Sequence, residues 1–239
     1  MDNFIFSERS KVHLDELVNI TNAELEGLKE NAAKNGYCQK SIAQAMWYSL
    51  SAGGKRIRPV LMLEFCRMCG GDVEKVLPSA CALEMIHTFS LIHDDLPCMD
   101  NDDFRRGKPS CHKAYGEAEA LLAGDALLNL AYEIISSSGL PAETKIAVIS
   151  ELSMDVGING MIGGQVIDTS YDGKMIADLL LEMYSMKTGA LLKAACKIGC
   201  IAAGADVEKL KAAETYAEKL GLAFQIKDDI LDVSGDEKL

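Results

Sequence analysis

The 239-residue chain carries a formal charge of -12, and 49% of its residues are hydrophobic. That length and apolar content can bury a large core and permit one or two domains. The net negative field opposes nucleic acid and other polyanions, so any phosphate must be held by local basic clusters. No run of eighteen uncharged apolar residues occurs, since even Gly189 to Ala205 contains Lys193 and Lys197, and no membrane span is predicted.

The first ten residues include Asp2 and Glu8 and lack a basic region followed by an apolar stretch, which argues against a signal peptide. Eight cysteines in such a chain point to reduced thiols and a cytoplasmic location. No Gly/Ser/Pro-rich linker, low-complexity tract or fixed-period repeat interrupts residues 1–239, which read as one domain.

Along the chain, the first chemical signal is Gly53-Gly54-Lys55-Arg56-Ile57-Arg58-Pro59, a local basic cluster. Arg offers a fork suited to phosphate oxygens and Lys a compact point charge. Cys66 and Cys69 form a CxxC, but no second pair follows at zinc-like spacing, and three-apart cysteines on a helix read as core neighbours. His87 taken alone is a hydrogen-bonded core histidine.

Next comes Asp94-Asp95-Leu96-Pro97-Cys98-Met99-Asp100, followed by Asp102-Asp103-Phe104-Arg105-Arg106-Gly107-Lys108. Pro97 disfavours helical backbone at Leu96 and cannot donate to a helical ladder, so the helix should end between Asp95 and Asp100 and the chain double back. Apolar residues then repeat at three and four over Ala120 to Ile135, Thr144 to Val156 and Val207 to Val233. Pro141 with Glu143 marks one helix start, and Asp206 is an N-cap for another. Cys196 and Cys200 read as small core residues. Strand-like alternation with hairpin turns is missing. The prediction is all-α, with central helices bearing the acidic clusters.

The second cluster is Asp228-Asp229-Ile230-Leu231-Asp232. On a helix Asp228 and Asp232 lie on one face, where bare anions repel. Either cluster alone could be a solvated charged face. Carboxylates, arginines and lysines together point instead to a metal bridged to a phosphorylated ligand. Mg2+ fits best, with Mn2+ as a substitute, because it takes one or two protein carboxylates plus phosphate oxygens.

In these motifs the chain resembles the trans-isoprenyl diphosphate synthase (polyprenyl synthetase) family from about Trp47 onward. The resemblance rests on the Gly-Gly-Lys segment, Met85-Ile86-His87, the first aspartate cluster with Arg105-Arg106-Gly107, Leu122-Ala-Gly-Asp125, Gly163-Gly-Gln165-Val-Ile-Asp168, Lys187-Thr188-Gly189 and Phe224-Gln225 leading into the second cluster. One such aspartate motif would be weak evidence; seven in order are specific. The longer spacing to Asp100 is that of bacterial farnesyl enzymes, which the chain resembles most, and of many plant-type geranylgeranyl enzymes.

The resemblance implies an antiparallel helical bundle around a deep cavity, with the two clusters facing each other across its mouth. It implies head-to-tail condensation of isopentenyl diphosphate with dimethylallyl and geranyl diphosphate to give farnesyl diphosphate. Asp94, Asp95, Asp100, Asp228, Asp229 and Asp232 would hold Mg2+. Lys55, Arg58, His87 and Arg106 would bind isopentenyl diphosphate, and Arg105 and Lys187 the allylic diphosphate. Thr188 and Gln225 would lie near the carbocation, and Gln165 and Asp168 would position the metal ligands from behind. His93, His112 and Asp125 are read as structural.

Phe89 lies about 7.5 Å along a helix from Asp94. In the family a bulky aromatic here floors the cavity at fifteen carbons, unless it packs sideways into the core. The alternatives are a geranylgeranyl diphosphate synthase and a non-catalytic subunit of a heteromeric prenyltransferase. A class I terpene cyclase would lack the second cluster and the Gly-Gly-Lys segment. The resemblance also implies a homodimer and further C-terminal helices beyond Leu239.

Overall fold

The computed structural model describes residues 8–36, 39–170 and 176–234, and among them the backbone is helical almost throughout. The described residues form two compact units, one within 1–63 and 73–140, the other within 64–72 and 141–239. The first contains α1 (Glu8–Asn35), α2 (Lys40–Leu50), α4 (Val73–Asp94), α5 (Cys111–Tyr115) and α6 (Glu117–Ser137). The second contains α7 (Ala142–Val156), α8 (Met161–Thr169), α9 (Ala177–Tyr184), a π turn (Ser185–Gly189), α10 (Ala190–Ala202) and α11 (Val207–Ser234). Helix α3 (Ile57–Met68) starts in the first and ends in the second.

The periodic segments become α6, α7 and α11, and the start signals hold. Pro141 stands immediately before α7 with Glu143 in its first turn. Asp206 accepts the Lys209 backbone N–H at 2.9 Å, the bond an N-cap makes.

A short hairpin stands among the helices without altering the all-α class. Residues Phe104–Arg105 (β1) and Lys108–Pro109 (β2) pair as an antiparallel hairpin. Each strand has two residues, too short for alternation to register. The signal lay in the turn: Arg106 and Gly107 take φ of 53° and 73°, the two positive values that a primed two-residue hairpin requires.

Helix α4 is the centre of the first unit. Its buried residues run right around it, from Val76 through Leu83, Met85 and Ile86 to Phe89 and Ile92, which is the pattern of a core helix. It is long and apolar enough to cross a membrane, but 67% of that window is buried inside the molecule. Its buried Glu84 is ion-paired. The combined α7–α8 stretch, Ala142–Thr169, passes the same test and is broken between Val156 and Met161.

α4 packs most extensively on α6. A methyl group on Gly124 would come within 2.2 Å of His93 Nε2, so α6 needs glycine there to admit the ring. His93 meets Leu121 O at 3.0 Å and lies 3.8 Å from Asp125, the structural roles expected for His93 and Asp125.

In the second unit α7 and α10 are laced by two ion pairs, Asp155–Lys193 at 2.9 Å and Glu151–Lys197 at 2.6 Å. Asp155 is 4% exposed, and its Oδ2 is buried with no hydrogen-bond partner among the described residues. Burial outweighs the Lys193 ammonium and pushes the Asp155 carboxyl up to about 6. Desolvation pulls Lys193 the other way, yet its bond to Asp155 leaves it raised. The orphaned Oδ2 explains why the pair satisfies the lysine better than the carboxylate.

A carboxyl raised on folding favours the folded state most below its ordinary range, and that contribution is lost as pH rises through about 6. Asp155→Asn should therefore gain stability relative to the parent as pH goes from 5 to 7, by on the order of 1 kcal/mol. Urea unfolding at the two pH values measures this, and parallel pH profiles would refute it.

Candidate active site

Helix α4 ends at Asp94, one residue earlier than the stretch from Asp95 to Asp100 in which Pro97 predicts its end. The chain then doubles back. Asp100 N–H donates to Asp94 O at 2.9 Å, Asn101 N–H to Leu96 O at 3.1 Å, and Asn101 takes a φ of 55°. This is the return that Pro97 predicts, and it carries Asp100 beside the end of α4. Asp94 is half-buried and Asp100 exposed.

Asp95 has a different environment. It is 2% exposed, and its Oδ1 accepts from Arg105 Nε at 2.9 Å and from Arg105 Nη2. Arg105 also reaches Asp102 at 3.0 Å. Burial raises the Asp95 carboxyl despite the guanidinium, while that same hydrogen bond raises Arg105. The residues expected to hold metal and diphosphate here hold each other.

Arg106 sits at the tip of the hairpin, and its positive φ turns it toward the Gly53–Gly54 loop, where Nη1 donates to Gly53 O. Gly54, at φ 129°, has Arg106 Cζ 2.9 Å from where a Cβ would be, so glycine is required for this approach.

The Gly-Gly-Lys segment divides its three cations. Lys55 is exposed. Arg56, for which the sequence proposed no role, is 5% exposed and fully engaged, with Glu84 at 2.6 Å, Asn22 Oδ1 at 2.9 Å and Leu50 O at 2.9 Å. Arg58 has its Nε buried with no partner among the described residues. Desolvation lowers Arg58, against Glu84 and with Arg106.

His87 lies among these charges. Burial, then Arg58, Arg106, Arg56 and Arg105, hold its imidazole well below the usual range, so it is neutral at pH 7. One unit thus gathers His87, Arg58, Arg105 and Arg106 near the loop that carries Asp94 and Asp100. Phe89 is 5% exposed and packs edge-on against His93 with ring centroids 5.5 Å apart. His112 is buried, with Nδ1 3.0 Å from Ser110 Oγ.

In the second unit Lys187 stands on the π turn and meets Asp168 Oδ2 at 2.5 Å. Two glycines permit the approach. A Cβ on Gly164 would lie 2.3 Å from Lys187 N, and one on Gly163 would lie 2.5 Å from Met186 Cε. A single wide turn inside a helix often marks a functional position. Gln165 is half-buried on the same short helix.

Gly221 of α11 approaches Gly189 of the turn, with 3.1 Å from its Cβ position to Gly189 Cα. Gln225 follows one turn later on the same face, and Thr188 lies within the π turn. The backbone of α11 continues through Asp228, Asp229 and Asp232; their side chains lie outside the described residues.

Among the described residues no three His, Cys, Asp or Glu side chains converge closely enough to hold a metal by themselves. Asp94 and Asp100 are joined through their backbones at the end of α4, which leaves two carboxylates on one loop. That suits Mg2+, which binds through one or two carboxylates and leaves its other positions to water and phosphate.

The polyprenyl synthetase family model matches residues 39–239. The chain belongs to this family. It is 52% identical over 205 residues to a geranylgeranyl diphosphate synthase of Cyanophora paradoxa, covering 83% of this chain and 68% of that one. It is 48% identical over 201 residues to a farnesyl diphosphate synthase of Geobacillus stearothermophilus, covering 82% of this chain and 68% of that one. The chain thus spans about two thirds of the length of these curated relatives. A solved geranyltransferase of Legionella pneumophila superposes with a TM-score of 0.89 at 38% identity, over 94% of this chain and 80% of that one. Polyprenyl synthetase membership and the all-α prenyltransferase fold both agree with the motifs in the sequence.

Proposed function

We propose that this polyprenyl synthetase condenses isopentenyl diphosphate with an allylic diphosphate, in a magnesium-dependent reaction of isoprenoid biosynthesis. The observation that carries this is the cationic shell around neutral His87, where Arg58 keeps a buried, unpartnered Nε. A buried donor without an acceptor calls for a ligand oxygen, and isopentenyl diphosphate supplies several. Lys55, Arg58, His87 and Arg106 would bind it.

Mg2+, held by Asp94 and Asp100 with the carboxylates of the second cluster, would neutralise the charge that builds on the departing pyrophosphate. Arg105 and Lys187 would hold the allylic diphosphate, each kept in place by a carboxylate, Asp95 or Asp168. Thr188 and Gln225 would flank the cation, in a pocket from which apolar side chains exclude water. The released pyrophosphate takes up the proton, so no His/Asp dyad is needed. We further propose a homodimer in the cytoplasm.

For the product we propose farnesyl diphosphate, on the strength of bulky Phe89 one and a half turns before Asp94. Its edge-on packing against His93 fixes the ring. The geranylgeranyl reading is favoured by the 52% identical relative of that name. Incubation with isopentenyl and geranyl diphosphates, with and without Mg2+, followed by mass spectrometry, separates them. Magnesium-dependent C15 product that lengthens to C20 in Phe89→Ala is expected. C20 product from the parent discards Phe89 as a floor, and no product under any condition discards the enzymatic reading.

A further inference from the structure

Seven cysteines among the described residues are free thiols, and two of them, 131 positions apart in the chain, nearly touch. Cys69 Sγ lies 3.6 Å from Cys200 Sγ. Cys69 follows the end of α3, where its N–H still bonds Phe65 O at 3.2 Å, and is half-buried. Cys200, in the last turn of α10, is 1% exposed.

The backbone around the pair is closely packed. A Cβ on Gly71 would lie 2.6 Å from both Ala203 Cβ and Cys66 Sγ. The Cys69–Asp72 turn therefore lies flat against the end of α10, and both thiols belong to the same compact unit. Cys66 is oriented elsewhere, its Sγ 3.7 Å from Asp72 O. Among the described residues no three such ligands converge here.

We propose that Cys69 and Cys200 form a reversible dithiol–disulfide site that oxidised low-molecular-weight disulfides load, fastening the α3–α4 turn to α10. Closing the pair to a bond of about 2.0 Å requires about 1.6 Å of sulfur movement. Cys69, the accessible partner, attacks one sulfur of the disulfide as thiolate and expels the other half as a thiolate that takes up a proton. Cys200 then gives up its proton and attacks Cys69 Sγ, expelling the second thiol. In total, two protein thiols are oxidised and one disulfide is reduced to two thiols.

Trypsin isolates each cysteine of the cluster. Cleavage after Arg67, Lys75, Lys197 and Lys209 puts Cys69 in Met68–Lys75 and Cys200 in Ile198–Lys209, separate from Cys66 and Cys196. The whole chain would be equilibrated with glutathione disulfide, alkylated, digested and mapped by mass spectrometry. The expected result is the Met68–Lys75/Ile198–Lys209 linked pair, two hydrogens lighter than its parts, and a thermal midpoint raised by about 5 °C that dithiothreitol reverses. Cys200→Ser should instead retain glutathione on Cys69. Links to Cys66 or Cys196, or glutathione on exposed Cys98 alone, would overturn the proposal. Because the readout is covalent mapping, it stands or falls separately from the proposed condensation.

Discussion

Asp94→Ala should leave a folded protein whose magnesium-dependent turnover falls by at least about a thousandfold, and Asp228→Ala should do the same. The size follows from the chemistry proposed. Breaking a carbon–oxygen bond to pyrophosphate concentrates negative charge on oxygens, and interactions that strengthen as charge develops dominate the barrier. Each factor of ten is about 1.4 kcal/mol, so a thousandfold loss asks each carboxylate for about 4 kcal/mol, within the range of a lost oxyanion donor. Asp94 sits at the end of α4 and is half-buried, so its removal should leave the core intact. Circular dichroism and urea midpoints check the fold, and product formation across a Mg2+ titration checks the site. Preserved turnover in either variant would refute the metal assignment.

Arg56→Met should be the most destabilising single change in the first unit. Arg56 ties α1 through Asn22, the end of α2 through Leu50 O, and α4 through Glu84. Arg56 and Glu84 are 5% and 2% exposed, and removing one partner of a buried pair strands the other charge, at a cost of about 3–5 kcal/mol. Replacing both, as in Arg56→Met with Glu84→Leu, should recover much of that loss, since a buried ion pair is often no better than an apolar one. A denaturant double-mutant cycle decides the point. Additive single effects would mean that the pair is not coupled.

The chain announced its helices wherever spacing was regular. α6, α7 and α11 follow from three- and four-residue repeats, and the break after Asp94 follows from Pro97. The hairpin was missed because two-residue strands carry no period; only Arg106-Gly107 encoded it. The π turn at Ser185–Gly189 was equally hidden, since one wide turn barely perturbs a helical pattern. Residue type located the basic segment but not the division of labour within it. Lys55, Arg56 and Arg58 are alike in composition, yet Arg56 is spent on structure while Arg58 keeps a bare Nε. Asp94 and Asp95 are adjacent and chemically identical, and only burial shows that Asp95 serves Arg105. Such distinctions come from long-range packing, which single-sequence periodicity does not record.

The wide turn between α9 and α10 has a consequence for how the gene can vary. In a regular helix each residue advances about 100° around the axis, so one surplus residue is absorbed only where the backbone is allowed to bulge. Deleting one residue of Ser185–Gly189 would let the ladder run straight from Tyr184 into Ala190 with α9 and α10 still in phase, and would change only how the turn itself presents its residues. Lys187 could then no longer face Asp168, and the glycine contact with α11 would be lost. The stretch is therefore constrained in its residue count as well as in its letters.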